Sequence, residues 1–279
     1  MHPVRILVPV DGSEESESIL PALMPLLRGL PAQVALLQVV DKSDDLDAAQ
    51  RGLHRLSQSL LAEGILASHR TEWGRPAEEI EYHAREEGFD LLAMATHGRS
   101  GLRRVLMGSI AETVLRHASL PVLLTRPGAR VGDWRRIVLA LDGSPRAEAV
   151  FPDVVQLARP LGATVHALTV NLPAYLMGDV HHVPLFPPSQ DLLPYLNGVC
   201  DRLTAEGVLT LPATADGTAA SGIARYAEDI GAGLIACTTH GRSGLARLFL
   251  GSVAEDVLRH APCPLLVRRT VHARVLSRH

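Results

Sequence analysis

The stretch Thr96-His-Gly-Arg-Ser-Gly-Leu102 occurs twice in this chain, and its second copy is Thr239-His-Gly-Arg-Ser-Gly-Leu245. Each copy leads at the same spacing into a further Gly-Ser pair, so both have the form Gly-x9-Gly-Ser, with a glutamate three residues after the serine. A glycine-rich turn that runs into a helix N-terminus offers backbone N–H groups and a positive dipole end to an anion. The repeat therefore predicts a duplicated module that binds an anion.

The duplication extends to the beginning of each copy. Arg5-Ile-Leu-Val-Pro-Val-Asp-Gly-Ser13 is repeated as Arg136-Ile-Val-Leu-Ala-Leu-Asp-Gly-Ser144, at an offset of 131. The offset between His97 and His240 is 143, so the second copy has 12 additional residues between these motifs. We predict that the additional residues form a proline-containing flap at 171–188. A repeat of this length indicates two domains, because the units of a solenoid are much shorter.

Composition limits the classes of partner. The chain of 279 residues is long enough for two domains, and 47% hydrophobic with 20% charged residues is typical of a soluble globular protein. A net charge of −3 predicts neither nucleic acid nor an anionic membrane as a partner. Lys42 is the only lysine, which excludes a Walker-type phosphate loop because that loop needs a lysine beside its glycines.

The cysteines and the apolar segments indicate a compartment. Cys200, Cys237 and Cys263 form no Cys-x-x-Cys pair, so neither a zinc site nor a disulfide framework is predicted. No apolar run reaches the roughly 18 residues of a membrane span, and the first apolar stretch is too short for a signal peptide. We therefore expect a cytoplasmic protein with buried, reduced thiols.

Short apolar segments alternate with helical patterns in both halves. The predicted strands are 6–10, 34–40, 65–72, 91–95 and 121–125, then 137–141, 164–170, 208–212, 234–237 and 264–268. Their apolar residues are consecutive, which is typical of strands buried on both faces. Five strands alternating with helices predict a parallel sheet with right-handed crossovers. The fold class is α/β, with two tandem doubly wound five-stranded sheets of strand order 3-2-1-4-5, in domains 1–127 and 133–270 joined by a linker near 127–133.

Two details of the helices are predicted as well. The segments 78–87 and 110–117 are examples of predicted helices, and the inner side of the first is expected to carry Ile80, Tyr82, His83 and Ala84. Pro21 and Pro152 are equivalent and fall in the first helix of each half, so that helix should begin late or kink.

The expected ligand site lies where the strand order reverses, outside the carboxyl ends of the strands. With the order 3-2-1-4-5, Asp11 and the first Gly-x9-Gly-Ser loop face one crevice. Ser109 and Ser252 each begin a Ser-x-x-Glu capping box, which predicts that both serines are helix N-caps. Glycines, capping boxes and Asp-Gly-Ser turns are also common in turns and at helix starts that have no functional role. Two near-identical copies nevertheless favour a functional loop. His181 and His182 beside Asp179 lack a third ligand at a suitable spacing, so an exposed loop is expected there.

Taken together, Val-Pro-Val-Asp-Gly-Ser at 8–13 and Thr-His-Gly-Arg-Ser-Gly-x6-Gly-Ser-x2-Glu at 96–112, before a Leu-Pro-Val strand, resemble the universal stress protein family. The resemblance covers essentially the whole chain as two tandem domains. It implies an adenine nucleotide alpha hydrolase-like fold and a site for ATP, AMP or ADP, with Mg²⁺ as a further candidate ligand; no metal-binding residue is assigned.

The resemblance also implies which residues meet the nucleotide. In the first half they are Pro9, Val10, Asp11, Val39, Met94, Ala95, His97, Gly98, Arg99, Gly108, Ser109 and Ile110. In the second half they are Asp142, Val170, Thr238, His240, Gly241, Arg242, Gly251, Ser252 and Val253. Ala95 and Thr238 stand where the family's pattern begins with glycine, and the bulkier Thr238 makes the second site the weaker candidate.

Three functions stay open at this point. The first is a regulatory protein of the stress response that binds adenine nucleotide and passes its state to a protein partner. The second is an ATP hydrolase or nucleotidyl transferase, and the third is a structural relative that binds nothing. Paired carboxylates and a nucleophile–base pair are missing from the loop sequence, so binding is preferred and no catalytic residue is assigned. The resemblance also implies that the last strands, 121–125 and 264–268, pair within the chain as a pseudo-dimer, and a further homodimer is compatible with the sequence.

Overall fold

The computed structural model describes residues 2–41, 45–97, 107–126, 128–171, 189–239 and 251–270. The first half consists of β1 Val4–Pro9, α1 Glu14–Glu17, α2 Ile19–Gly29, β2 Ala32–Val40, α3 Leu46–Ala62, β3 Leu66–Trp73, α4 Pro76–Glu86, β4 Leu91–Ala95, α5 Ser109–His117 and β5 Val122–Thr125. The second half consists of β6 Arg136–Leu141, a 3-10 turn Ala147–Val150, α6 Phe151–Leu161, β7 Thr164–Asn171, α7 Ser189–Ala205, β8 Leu209–Asp216, α8 Ala219–Asp229, β9 Leu234–Thr238, α9 Ser252–His260 and β10 Leu265–Arg268.

The ten strands of the described residues form one sheet, in the order β3-β2-β1-β4-β5-β10-β9-β6-β7-β8. Each half is parallel and has the predicted order 3-2-1-4-5. The halves join where β5 and β10 pair antiparallel, with Leu123 opposite Leu266. The predicted pairing of the two last strands within the chain is therefore confirmed, and it removes two exposed sheet edges.

Helices cover both faces of this sheet. One apolar cluster packs α2, α3, α6 and α7 against one face, and the other packs α4, α5, α8 and α9 against the opposite face. Both clusters contain residues of both halves. A Cβ at Gly29, the last residue of α2, would collide with the Leu161 side chain of α6, so these helices meet closely across the pseudo-twofold junction.

Backbone carbonyls near the junction accept further hydrogen bonds between the halves. Arg126 Nε donates to the carbonyl of Ala261 at 3.0 Å, and Arg130 N–H donates to that of Pro262 at 2.8 Å. From the second half, Arg268 donates to the carbonyl of Ser119 at 3.2 Å. The segment after β5 is thereby bonded to the loop that precedes β10.

The prediction that strands are buried on both faces is correct for the central strands and wrong for the outer ones. All side chains of β4, β5 and β9 are buried, whereas β3 has only exposed and partly buried residues and β8 has two buried residues among eight. Leu66 and Leu209 at the start of these outer strands are 59% and 63% exposed. An outer strand has a neighbour on one side only, and a helix cannot cover it completely. The strand predicted at 208–212 extends further than expected, to Asp216.

The proline prediction for the first helices is confirmed. A four-residue helix precedes α2, and Pro21 is the third residue of α2. In the second half a 3-10 turn precedes α6, and Pro152 is the second residue of α6. Proline is tolerated in the first turn because N–H groups there have no intrahelical acceptor.

The inner face predicted for α4 requires one correction. Ile80, His83 and Ala84 are buried, but Tyr82 is 54% exposed. Residues three and four apart share one side of a helix, and Tyr82 lies two residues from Ile80, on the other side. Asn171, the first residue of the predicted flap, is the last residue of β7, and the rest of the flap and the central parts of both repeated loops lie outside the described residues.

Candidate functional site

The carboxyl ends of β1, β2 and β4 open into one crevice of about 370 Å³, which α4 and the first turn of α5 close from the sides. Its lining comprises Pro9, Val10, Asp11, Ser16, Leu37, Val39, Asp41, Pro76, Ile80, Met94, Ala95, Thr96, His97, Gly108, Ser109, Ile110 and Ala111. This volume lies within the range of small-molecule sites, about 300–1,000 Å³.

Ten of the residues named from the first half line this crevice together. Gly98 and Arg99 lie outside the described residues. The sequence reasoning missed the contributions of Leu37, Asp41, Pro76 and Ile80. Leu37 and Asp41 could have been found from the period of two around Val39, whereas no motif pointed to the start of α4.

The Asp11 carboxylate is oriented by the turn that follows it. Asp11 Oδ1 accepts hydrogen bonds from Ser13 N–H at 3.0 Å and from the Ser13 hydroxyl at 2.6 Å. The backbone N–H of Asp11 donates to Ser16 Oγ at 3.1 Å. Gly12 between them has φ of 79°, a left-handed conformation that favours glycine. The Asp-Gly-Ser turn therefore places the carboxylate at the tip of β1.

The N-caps of α5 and α9 differ from the prediction. The N-cap residues are Gly108 and Gly251, one residue before the expected caps, and the helices begin at Ser109 and Ser252 themselves. Gly108 N–H donates to the carbonyl of Thr96 at 2.7 Å, and a Cβ at Gly108 would lie 3.4 Å from that oxygen. This hydrogen bond attaches the glycine to the tip of β4 at the cap position, and the serine lies in the first turn of the helix.

Glu112 has a different role from the one that a capping box assigns to it. Its side chain forms an ion pair with Arg116 at 3.0 Å, and its N–H makes the first intrahelical hydrogen bond, to the carbonyl of Gly108 at 3.0 Å. The N–H groups of Ser109, Ile110 and Ala111 precede that bond, and all three residues line the crevice. With the helix dipole, they make this end of the crevice suitable for an anion.

The other end of the crevice is acidic. Asp11 and Asp41, together with His97, are the titratable residues that line its described part. The pKa of the nearby Glu17 is raised, mainly because the carboxyl is partly buried and also because the carboxylate of Asp11 is close. Arg55 offsets part of this increase. Among the described residues, no group of three or more His, Cys, Asp or Glu side chains is arranged to hold a metal ion.

His97 lies between these two ends. Its Nδ1 is 2.9 Å from the Thr96 hydroxyl, and Thr96 N–H donates to the carbonyl of Thr125 at 2.8 Å. The tip of β4 is therefore attached to β5 just before the loop begins. The first half thus brings an acidic strand tip, an apolar wall and a helix N-terminus around one space.

The second half repeats part of this geometry. Asp142 Oδ1 accepts a hydrogen bond from Ser144 N–H at 2.9 Å, and Gly251 N–H donates to the carbonyl of Thr239 at 2.8 Å. Ser252 and Val253 occupy the first turn of α9, and Val170 and Thr238 lie at the tips of β7 and β9. His240, Gly241 and Arg242 lie outside the described residues.

Within the chain that the structure describes, no helix combines the length and apolar character that a bilayer span requires.

Comparison with known proteins agrees with this geometry. A universal stress protein of Methanocaldococcus jannaschii is 33% identical over 138 residues, which are 44% of this chain and 81% of that protein. The universal stress protein YxiE of Bacillus subtilis is 26% identical over 145 residues, 44% of this chain and 98% of that protein. Each of these matches covers 44% of this chain.

Solved structures match the whole arrangement. A universal stress protein of Archaeoglobus fulgidus has a TM-score of 0.73 at 22% identity, over 95% of this chain and 98% of that one. A functionally unknown protein of Pseudomonas aeruginosa has a TM-score of 0.67 at 21% identity, over 95% and 92% of the two chains. At these identities the likeness shows the fold. The sequence model of the universal stress protein family matches residues 4–126 and again 133–269, and the chain therefore belongs to the universal stress protein family.

Proposed function

We propose that this chain is a regulatory protein that binds an adenine nucleotide (ATP, ADP or AMP) in the crevice of its first half and signals the bound state to a protein partner. The observation that carries the proposal is the division of this crevice into an acidic end at Asp11 and Asp41 and an end formed by the helix N-terminus at Ser109, Ile110 and Ala111. A nucleotide matches both ends: its ribose hydroxyls can donate hydrogen bonds to the carboxylate, and its phosphates can accept them from the N–H groups of the helix.

The apolar part of the crevice suits the base. Val39, Met94 and Ile80 line it from β2, β4 and α4, and they offer apolar surface for a base. Ribose hydroxyls then reach the carboxylate of Asp11, which Ser13 holds in place. The phosphates extend along His97 towards Ser109 and the amides of the first turn of α5.

The same geometry favours binding over turnover. Asp11 and Asp41 are the carboxylates that line the described part of the crevice, and Asp11 Oδ1 already accepts two hydrogen bonds. Such a carboxylate orients a ligand better than it removes a proton from water. Mg²⁺ that enters with the nucleotide keeps several waters and phosphate oxygens as ligands, so one or two carboxylates suffice for it.

The test begins with the protein as purified. Mass spectrometry identifies any nucleotide that copurifies, and calorimetry with ATP, ADP, AMP and GTP, with and without Mg²⁺, measures affinity and base preference. We expect heat of binding for adenine nucleotides. A flat titration with all four would contradict the proposal.

A pair of variants at one position tests the anion end. Ile110 is the second residue of α5 and is 38% exposed, so a polar side chain fits there and an acidic one suits the helix N-terminus. We expect Ile110→Glu to lower nucleotide affinity at least about 100-fold, because its carboxylate faces the phosphates. Ile110→Gln has the same length without the charge and should lose less than about tenfold. Equal losses in both variants would show that charge at this end is irrelevant.

A turnover assay separates the regulatory protein from an ATP hydrolase or nucleotidyl transferase. We expect the bound nucleotide to be recovered intact after many times its residence time. Steady release of phosphate or pyrophosphate that Ile110→Glu abolishes would instead assign an enzyme.

A further inference from the structure

We infer that the second half cannot admit a nucleoside base, so that the whole chain binds one nucleotide, in its first half. The inference rests on the proposed function and specifies its stoichiometry. It comes from comparing equivalent positions in two halves that share one fold.

The two halves can be compared residue by residue at the end of the crevice where the base would bind. Strand pairing places Pro9 opposite Leu37 and Ala140 opposite Leu168, so Val39 and Val170 are equivalent. The connection to the next helix is also equivalent, because Gly74 N–H and Gly217 N–H each donate to the last carbonyl of the neighbouring strand at 3.0 Å.

The first difference lies between β7 and α8. A Cβ at Gly222 of α8 would lie 2.6 and 2.9 Å from the two methyl groups of Val170, which is closer than real side chains come. Glu79 occupies the equivalent place in α4 and does carry a Cβ, so α4 cannot approach Val39 in this way. Val170 is accordingly 6% exposed, while Val39 is partly exposed and lines the first crevice.

The second difference lies at the tip of β9. Thr238 is buried where β4 has Ala95, so a branched side chain takes up space that the alanine leaves open. Thr239 N–H donates to the carbonyl of Arg268 at 2.9 Å, as Thr96 N–H does to that of Thr125 in the first half, and Thr239 Oγ1 also accepts from Thr270 N–H at 3.1 Å. The tip therefore has little freedom to move away from an incoming ligand.

These two differences change the end of the crevice where a base would bind. The helix N-termini at the other end are alike in the two halves. Glycine donates to the strand tip at 2.7 Å in α5 and at 2.8 Å in α9. A planar base needs a slot between strand tip and helix, and in the second half the methyl groups of Val170 occupy that slot. Close-packed side chains do not open such a slot without a cost in stability.

Matched variants in the two halves test the inference. Val253 is the equivalent of Ile110, the second residue of α9, and is 45% exposed. Calorimetry of the full chain with ATP is expected to give one nucleotide per chain. Ile110→Glu should abolish this binding, and Val253→Glu should change the affinity less than about twofold, as for a surface substitution away from the ligand. Circular dichroism checks that both variants are folded.

Two nucleotides per chain would overturn the inference, as would a loss of affinity in Val253→Glu or one intact site in Ile110→Glu. Two nucleotides per chain would leave the proposed function standing. A single site that Val253→Glu removes and Ile110→Glu leaves intact would place the nucleotide in the second half and overturn both. A wild-type chain that binds no nucleotide gives a different result, because it removes the proposed function and with it the inference.

Discussion

At Gly233 the absence of a side chain allows the linker between the halves to pack directly against the backbone. A Cβ at this buried position would overlap the carbonyl of Asp133 in the linker, and Gly233 N–H donates to the carbonyl of Arg136 at 3.0 Å. The obstructing atom belongs to the backbone and cannot rotate away. We expect Gly233→Ala to lower the free energy of unfolding by about 3 kcal/mol, the upper part of the range for overpacking. Denaturant unfolding measures it.

Gly52 provides the matched control for that substitution. It lies inside α3, and a Cβ there would have no atom within 4 Å. Gly52→Ala should therefore raise the free energy of unfolding by about 0.5–1 kcal/mol, because alanine loses less backbone entropy in a helix. Changes of the same sign in both variants would show that the space around Gly233 is not what decides its effect.

The sequence identifies such residues without showing their surroundings. It predicts that Gly108 and Ser109 form a turn before a helix, which is correct. It assigns the N-cap to the serine, which is wrong, because the local pattern does not contain the carbonyl of Thr96 that binds the glycine. Tyr82 was misplaced for a similar reason, since apolar character alone does not decide which side of α4 meets the sheet.

At the scale of elements, an ion pair attaches the end of β10 to α6. Arg268 Nε donates to Asp153 Oδ2 at 2.7 Å, a second guanidinium nitrogen donates to Oδ1, and the Asp153 side chain is 5% exposed. Arg268→Ala leaves a buried carboxylate without its partner and should cost about 3–5 kcal/mol of stability. Thermal or chemical unfolding measures the loss.

An exposed ion pair of the same type is the control. Arg28 Nη2 lies 2.5 Å from Glu63 Oε2, and the two side chains are 65% and 48% exposed. Water screens this pair, so Arg28→Ala should cost less than about 1 kcal/mol. The prediction for Arg268 fails if the two arginine variants lose similar stability.

The order of the elements was predictable, and the crevice was predictable in part. Consecutive apolar residues identify β1, β4 and β5 because neighbours on both faces bury them, but the same reading fails for β3 at the edge of the sheet. The strand tips at Asp11 and His97 follow from motifs. The contribution of α4 could not be derived, because Ile80 reaches the crevice through helix packing and no motif records that.

At the scale of the whole molecule, the two halves share one sheet and two cores. The pairing of β5 with β10 could be expected from the family resemblance, whereas the apolar pattern alone does not say which edges meet. Because both apolar clusters cross the junction, unfolding one half exposes the core of the other. We therefore expect the full chain to unfold in a single cooperative transition, in spite of its two copies of one domain.

The cysteines provide a probe of this cooperativity. Cys200, Cys237 and Cys263 are buried and belong to the second half, and burial raises the pKa values of Cys237 and Cys263 to about 12. At pH 8 these two thiols are protonated and covered in the folded chain, so a disulfide reagent should react with neither. In denaturant, all three cysteines should react over the same range in which the helical circular dichroism of both halves disappears. Loss of about half of the helical signal before the thiols react would show instead that the first half unfolds independently.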